Sequence, residues 1–213
     1  MCQLCEKKPV YEFTNKRKLC ARCFIHWFEK KVLYIIRKFK MISNKDLVGY
    51  ENSGDFRGVV LENVLKMFSE NSMNELVRMH IARADALEID KIKLNKNFLV
   101  NSYKKSRAMK LRGKLNKIAI SSTTDLECNQ IISILIKGKE KDLKKFVPVW
   151  KNVIKPLYLF LDKEVLLYAK LKKLKFKKIK EDIGEIGEFI EELEKKHPEI
   201  KRAVVKGLLD KEY

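Results

Sequence analysis

Four of the five cysteines fall into two C-x2-C pairs, Cys2 with Cys5 and Cys20 with Cys23. A C-x2-C turn aims two sulfurs at one point, and two such turns supply a tetrahedral thiolate set suited to zinc. With four thiolates the site would be closed, so the metal organises backbone and activates no water. Structural Zn2+ on Cys2, Cys5, Cys20 and Cys23 is the expectation, with an iron–sulfur centre or oxidation-prone thiols as the alternatives. His26 lies three residues beyond Cys23 and could replace a thiolate, but its spacing assigns it to the helix that follows. Cys128 stands alone in a helical stretch, where a cysteine is ordinarily a buried, inert apolar side chain.

The elements that would hold this knuckle show in the apolar pattern. In "FIHWFEKKVLYIIRKFKMI", Phe24, Trp27, Phe28, Val32, Ile35, Ile36 and Phe39 recur at helical spacing, and Lys30, Lys31, Arg37, Lys38 and Lys40 take the other side. "DLVGYENSGDFRGVVLENVLKMF" then reads as strand, glycine-bearing loop and helix, with Val59, Val60, Val64, Leu65 and Phe68 inward. "NELVRMHI" and "LNKIAISS" read as two further strands, each followed by helical pattern. Strands alternating with helices predict an α/β domain with a parallel sheet covered on both faces. The expected division is a four-cysteine zinc knuckle over 1–24 and an α/β domain over 25–213 with a helical C-terminal part.

Charge narrows the partner class. Lys and Arg number 47 against 28 Asp and Glu, a net charge of +19, while 46% of residues remain apolar. This predicts a folded chain with a basic surface, to which a polyanion such as RNA or DNA is drawn by counterion release; a lysine-rich compositional bias is the bland alternative. The candidate RNA-facing residues are Lys7, Lys8, Lys16, Arg17, Lys18 and Arg22 on the knuckle, Arg37 and Lys38 on the first helix, and Lys172, Lys173, Lys175, Lys177 and Lys178. The last five belong to "KLKKLKFKKIK", which holds seven lysines; a solvated face explains such a run equally well. The acidic stretch after it carries Ile183, Ile186, Phe189, Ile190 and Leu193 as an inward stripe. No leader segment and no apolar run long enough for a bilayer is read, so the expectation is a cytoplasmic protein without a membrane. His80 and His197 read as packing and loop residues.

The order of parts resembles the tRNA 2-thiolation enzymes of the PP-loop ATP-pyrophosphatase superfamily. The residues that carry the resemblance are the knuckle spacing, Ile154-Lys155-Pro156-Leu157, Lys163-Glu164-Val165 with Tyr168-Ala169, and the Glu194 to Pro198 segment. The resemblance implies a parallel-sheet, HUP-type PP-loop fold with an N-terminal zinc knuckle, and association with tRNA. It also sets out departures. The family's S-G-G-K-D-S phosphate loop corresponds to Ser53-Gly54-Asp55-Phe56-Arg57-Gly58, where a carboxylate stands beside the phosphate position and Arg57 compensates in part. The second signature, G-H-N-L-D-D-E-A, corresponds to Ser121-Ser122-Thr123-Thr124-Asp125-Leu126-Glu127-Cys128, with only Asp125 and Glu127 matching. The catalytic cysteine pair is replaced by Asn101 and Lys104, and the chain reaches Tyr213 without a second zinc module.

What the resemblance and its departures together imply is a pseudoenzyme: no catalytic residue, and a degenerate nucleotide loop at Ser53, Gly54 and Arg57. The expected role is a non-catalytic tRNA-binding or scaffold subunit of a tRNA uridine 2-thiolation complex, partnered by an active thiolation enzyme or a second copy of the chain. A stand-alone RNA-binding or regulatory zinc protein is the alternative, and an ATP-dependent thiolase the third reading.

Overall fold

The computed structural model describes residues 1–43, 46, 48–51, 53–70, 76–79, 117–178 and 184–212. Strands β1 (Tyr11–Glu12) and β2 (Lys18–Leu19) form a small antiparallel hairpin. Helix α1 (Ala21–Lys38) follows and buries Phe24, Phe28, Val32, Ile35 and Ile36, the stripe that its 3.6-residue period predicts. His26 is exposed on this helix and is not part of the sulfur cluster.

A five-stranded sheet forms the centre. β3 (Val48–Glu51) lies between β4 (Leu76–Met79) and β5 (Lys117–Ala119), and β7 (Val153–Ile154) extends the sheet beyond β5, all parallel. β6 (Val149–Trp150) closes the edge as an antiparallel hairpin with β7, so the order is β4-β3-β5-β7-β6. The α/β parallel-sheet expectation holds. Val48, Ile118, Ala119, Val153 and Ile154 are all buried. Residues covered on both faces, with no polar alternation, are what a sheet sandwiched by helices requires.

Helix α2 (Phe56–Glu70) follows β3, α3 (Thr124–Ile136) follows β5, and α4 (Asp162–Leu171) follows β7. The chain ends in α5 (Gly184–Lys196) and α6 (Ile200–Glu212). One apolar cluster joins the knuckle's Leu19 and α1 to β3, α2 and α4; its aromatic centre stacks Phe28 on Tyr168 with centroids 4.2 Å apart at 16°. A second joins Cys128, Ile131 and Ile134 of α3 to Val205 and Leu208 of α6.

Two details depart from the sequence expectation. Leu61 of α2 is buried, while Val59 and Phe68 are only partly so. Phe189, expected inward, is 54% exposed, because α5 turns only Gly187 and Ile190 fully into the core. Ile183, His80, and the Asn101 and Lys104 that replace the cysteine pair lie outside the described residues. Among the described residues no helix is long and apolar enough to cross a membrane.

Candidate functional site

β4 follows β3 on one side of the sheet, and the chain returns to place β5 on the other. The strand order therefore reverses between β3 and β5, and open parallel sheets bind ligands outside the carboxyl ends of the strands at such a point. The segments leaving β3, β5 and β7 meet there. Gly54, at φ +78, makes the turn into α2. Asp55, 5% exposed, stands directly before that helix. Its Oδ1 accepts the Gly58 amide at 2.8 Å and the Ser53 hydroxyl at 2.6 Å.

Arg57 is turned inward, with a side chain only 5% exposed. Its Nε donates to Asp162 Oδ1 at 2.7 Å while Nη2 pairs with Oδ2, a forked contact that fixes the guanidinium plane. The Thr123 hydroxyl also donates to Asp162 Oδ1, at 2.7 Å. The Asp162 amide donates to Asp125 Oδ2 at 2.7 Å, and Lys201 of α6 bridges Asp125 at 2.7 Å and Glu194 of α5 at 2.6 Å. Burial, then the Asp162 charge, raises the Asp125 carboxyl above the usual carboxylate range against the pull of Lys201. For Lys201 burial acts downward, but hydrogen bonds to Asp125 and Glu194 outweigh it and the ammonium is held above its ordinary value.

Glu127, the other matched acid of the second loop, serves a different end. It is fully buried and lies 2.8 Å from the Lys155 ammonium, itself 1% exposed. Ser122 donates to the same carboxylate, and Lys155 donates again to the Lys145 carbonyl at 3.0 Å. The pair fastens the segment after β5 to the segment after β7.

The four paired cysteines converge. Cys5 and Cys20 sulfurs are 3.3 Å apart, Cys23 and Cys5 3.5 Å, and all four lie within 4.8 Å of one another. Bonds of about 2.3 Å in a tetrahedron place sulfurs about 3.8 Å apart, so the set fits one metal ion. Tyr11 against Phe24 (5.1 Å) and Phe13 against Trp27 (4.6 Å) seat the knuckle on α1. Cys128 is buried in the second apolar cluster, and burial pushes its thiol up to about 12.

The basic residues divide. Lys7, Lys8, Lys16, Arg22, Arg37 and Lys38 are exposed; Arg17 lies over the Phe13 ring at 5.7 Å and Lys18 pairs with Glu12 at 3.2 Å. Lys172 pairs with Glu29 at 3.2 Å. Past α4 the chain is irregular, and Lys173, Lys175, Lys177 and Lys178 are exposed. The Lys177 amide donates to the Gly54 carbonyl at 2.8 Å and Phe176 meets Phe56 edge-on at 6.3 Å, so this run lies along the loop after β3. Its neighbourhood to Gly54 was invisible in sequence, as were Asp162 and Lys201. The one local hint at Asp162 is "LDKE", where Glu164 accepts the Leu161 amide at 2.9 Å as a helix-start box does.

A separate groove of about 960 Å³ runs between α1 and α6, floored by Leu159 and walled by Phe39, Val205 and Leu209. Lys31 enters it, donating to the Leu159 carbonyl at 2.8 Å between the Trp27 and Phe160 rings. Burial lowers its ammonium to about 8, with Glu164 pulling the other way.

No family model and no curated protein matches this sequence. A solved structure does: the U34-tRNA thiolase NcsA from Methanococcus maripaludis with its 4Fe–4S cluster, at TM-score 0.72 and 19% identity, over 98% of this chain and 86% of that one. The match corrects the expectation of a non-enzyme. The fold that runs through almost all of this chain is one on which a thiolase is built, and the altered loops do not mark the chain as inactive. By its fold, this chain is similar to a tRNA thiolase.

Proposed function

We propose that this chain acts in the thiolation of tRNA uridine and engages tRNA along the lysines that follow α4. The observation that carries the reading is the pinning of Lys177 to Gly54, which holds a row of exposed ammonium groups at the mouth of the strand-end site. Phosphates neutralised there would orient an RNA across the carboxyl edge of the sheet. Lys7, Lys16 and Arg22 on the knuckle, with Arg37 and Lys38 at the end of α1, extend the same basic character. A thiolation enzyme or a second copy of the chain is the protein partner consistent with this role.

The knuckle is proposed to hold Zn2+. The sulfur spacing supports a single ion, since a four-iron cube gives each thiolate its own iron and spreads the sulfurs wider than one ion does. The metal would then fix backbone at the base of α1.

Replacing Lys175, Lys177 and Lys178 together by glutamate tests the RNA reading. Binding of unmodified tRNA should weaken at least tenfold at moderate salt, and the slope of log affinity against log salt should fall by about 1 per lysine removed. Unchanged affinity and slope would contradict it.

A further inference from the structure

An ammonium group carried into apolar surroundings needs a counter-charge, and the chain places none on Lys31. Its side chain donates to a neutral acceptor, the Leu159 carbonyl at 2.8 Å, and is flanked by the Trp27 and Phe160 rings at 4.9 and 4.5 Å. Among the described residues no carboxylate lies within ion-pair distance of it. The acid whose charge bears on it most is Glu164, and that carboxylate is already taken. Arg202 pairs with Glu164 Oε1 at 2.7 Å, and the Tyr11 hydroxyl donates to the same oxygen at 3.3 Å. Burial accordingly lowers the Lys31 ammonium to about 8, with Glu164 opposing only in part. A cation so placed costs free energy until an anion joins it.

The groove that Lys31 lines has room for such an anion. Its volume of about 960 Å³ is that of a small-molecule pocket, and Phe39, Leu159, Val205 and Leu209 make its surface largely apolar. Thr124 also borders it, but its hydroxyl is spent on the Tyr158 carbonyl at 2.9 Å. At the opening Lys38 and Lys206 are exposed, Glu199 lies 3.9 Å from Arg202, and Asp210 is the remaining acid. Four cations against two carboxylates leave the groove biased toward a negatively charged guest.

We propose that this groove binds a small carboxylate with an aromatic or aliphatic body, its carboxylate paired with the Lys31 ammonium and its body laid against Leu159, Val205 and Leu209. Such a molecule answers both features at once: its apolar area leaves water, and the ammonium gains the charge-assisted bond it lacks. The proposal does not rest on the tRNA reading, because neither the loop at Gly54 nor the lysines after α4 line the groove.

Naphthaleneacetate is the probe and naphthaleneacetamide its uncharged counterpart. Both are titrated at neutral pH into the full chain and read by the methyl resonances of Val205 and Leu209 and by calorimetry. In the wild type the acid should move both residues' resonances saturably by millimolar concentration and bind at least fivefold more tightly than the amide. Lys31→Met keeps the stem and removes the charge, so the preference for the acid should fall below twofold. Ala203→Phe, at an exposed position on the groove wall, should weaken the acid at least fivefold by filling the space. No saturable shift, a smaller preference in the wild type, or a preference of twofold or more that persists in Lys31→Met overturns the proposal. Should Lys31→Met fail to fold, Ala203→Phe decides, and a loss of less than fivefold overturns it. A groove covered by a second copy of the chain would give concentration-dependent dimers and leave Val205 and Leu209 unmoved by the acid, which also counts against it.

Discussion

Lys155 and Glu127 put two opposite charges where neither meets water. Burial lowers the Lys155 ammonium and Glu127 pulls it back, so the pair survives only because each partner and its neighbouring donors satisfy the other. Glu127→Gln should therefore cost about 3–5 kcal/mol in denaturant melts, whereas Lys155→Met with Glu127→Leu should recover most of that loss. Equal losses in the single and double variants would contradict this. The single-residue chemistry divides in how far it could be read from sequence. Sulfur convergence follows from local spacing, because a C-x2-C turn dictates where both thiols point. Asp55 was legible as a charge, but not as an acceptor for Gly58 and Ser53, since hydrogen bonds depend on loop shape. Arg57 with Asp162 and Lys201 with Asp125 are contacts across 105 and 76 residues, and no local pattern encodes them.

At the scale of elements, the knuckle and α1 behave as one unit, because Leu19, Phe24 and Phe28 belong to the same apolar cluster as the central strands. Removing the metal with a chelator should lower the melting temperature of the whole chain, and should let Cys2, Cys5, Cys20 and Cys23 react with a thiol reagent while Cys128 waits for global unfolding. Reaction of all five thiols at one rate would contradict the placement of Cys128. Lys31 reports on the groove between α1 and α6. Burial sets its ammonium at about 8 when folded against the ordinary 10.5, so between these values the folded state has released a proton that the unfolded state keeps. Stability from this group thus rises as pH climbs from about 8 to 10.5. Lys31→Met should show a smaller rise over that window in paired melts, and parallel curves would contradict it. Helices α1 and α2 were legible from their stripes, while Phe189 shows the limit: helical period places it with Ile186 and Ile190, yet only the packing of α5 decides which edge of the stripe is covered.

The whole molecule joins a parallel sheet, a sulfur knuckle and a surplus of 19 positive charges. Alternating strand and helix patterns made the parallel sheet legible. The order β4-β3-β5-β7-β6 was not, because strands of two residues such as β6 and β7 carry no periodicity to detect. The resemblance read from the sequence agrees in fold with the thiolase structure, which matches over 98% of the chain, while the expectation of a non-enzyme, drawn from two altered loops and a replaced cysteine pair, is corrected by that match to a thiolase. Participation in tRNA thiolation is tested most directly by mass spectrometry of nucleosides from tRNA of cells with and without this chain. The account predicts that 2-thiouridine derivatives fall when the chain is deleted and return when it is restored. Unchanged 2-thiouridine in the deletion would contradict it.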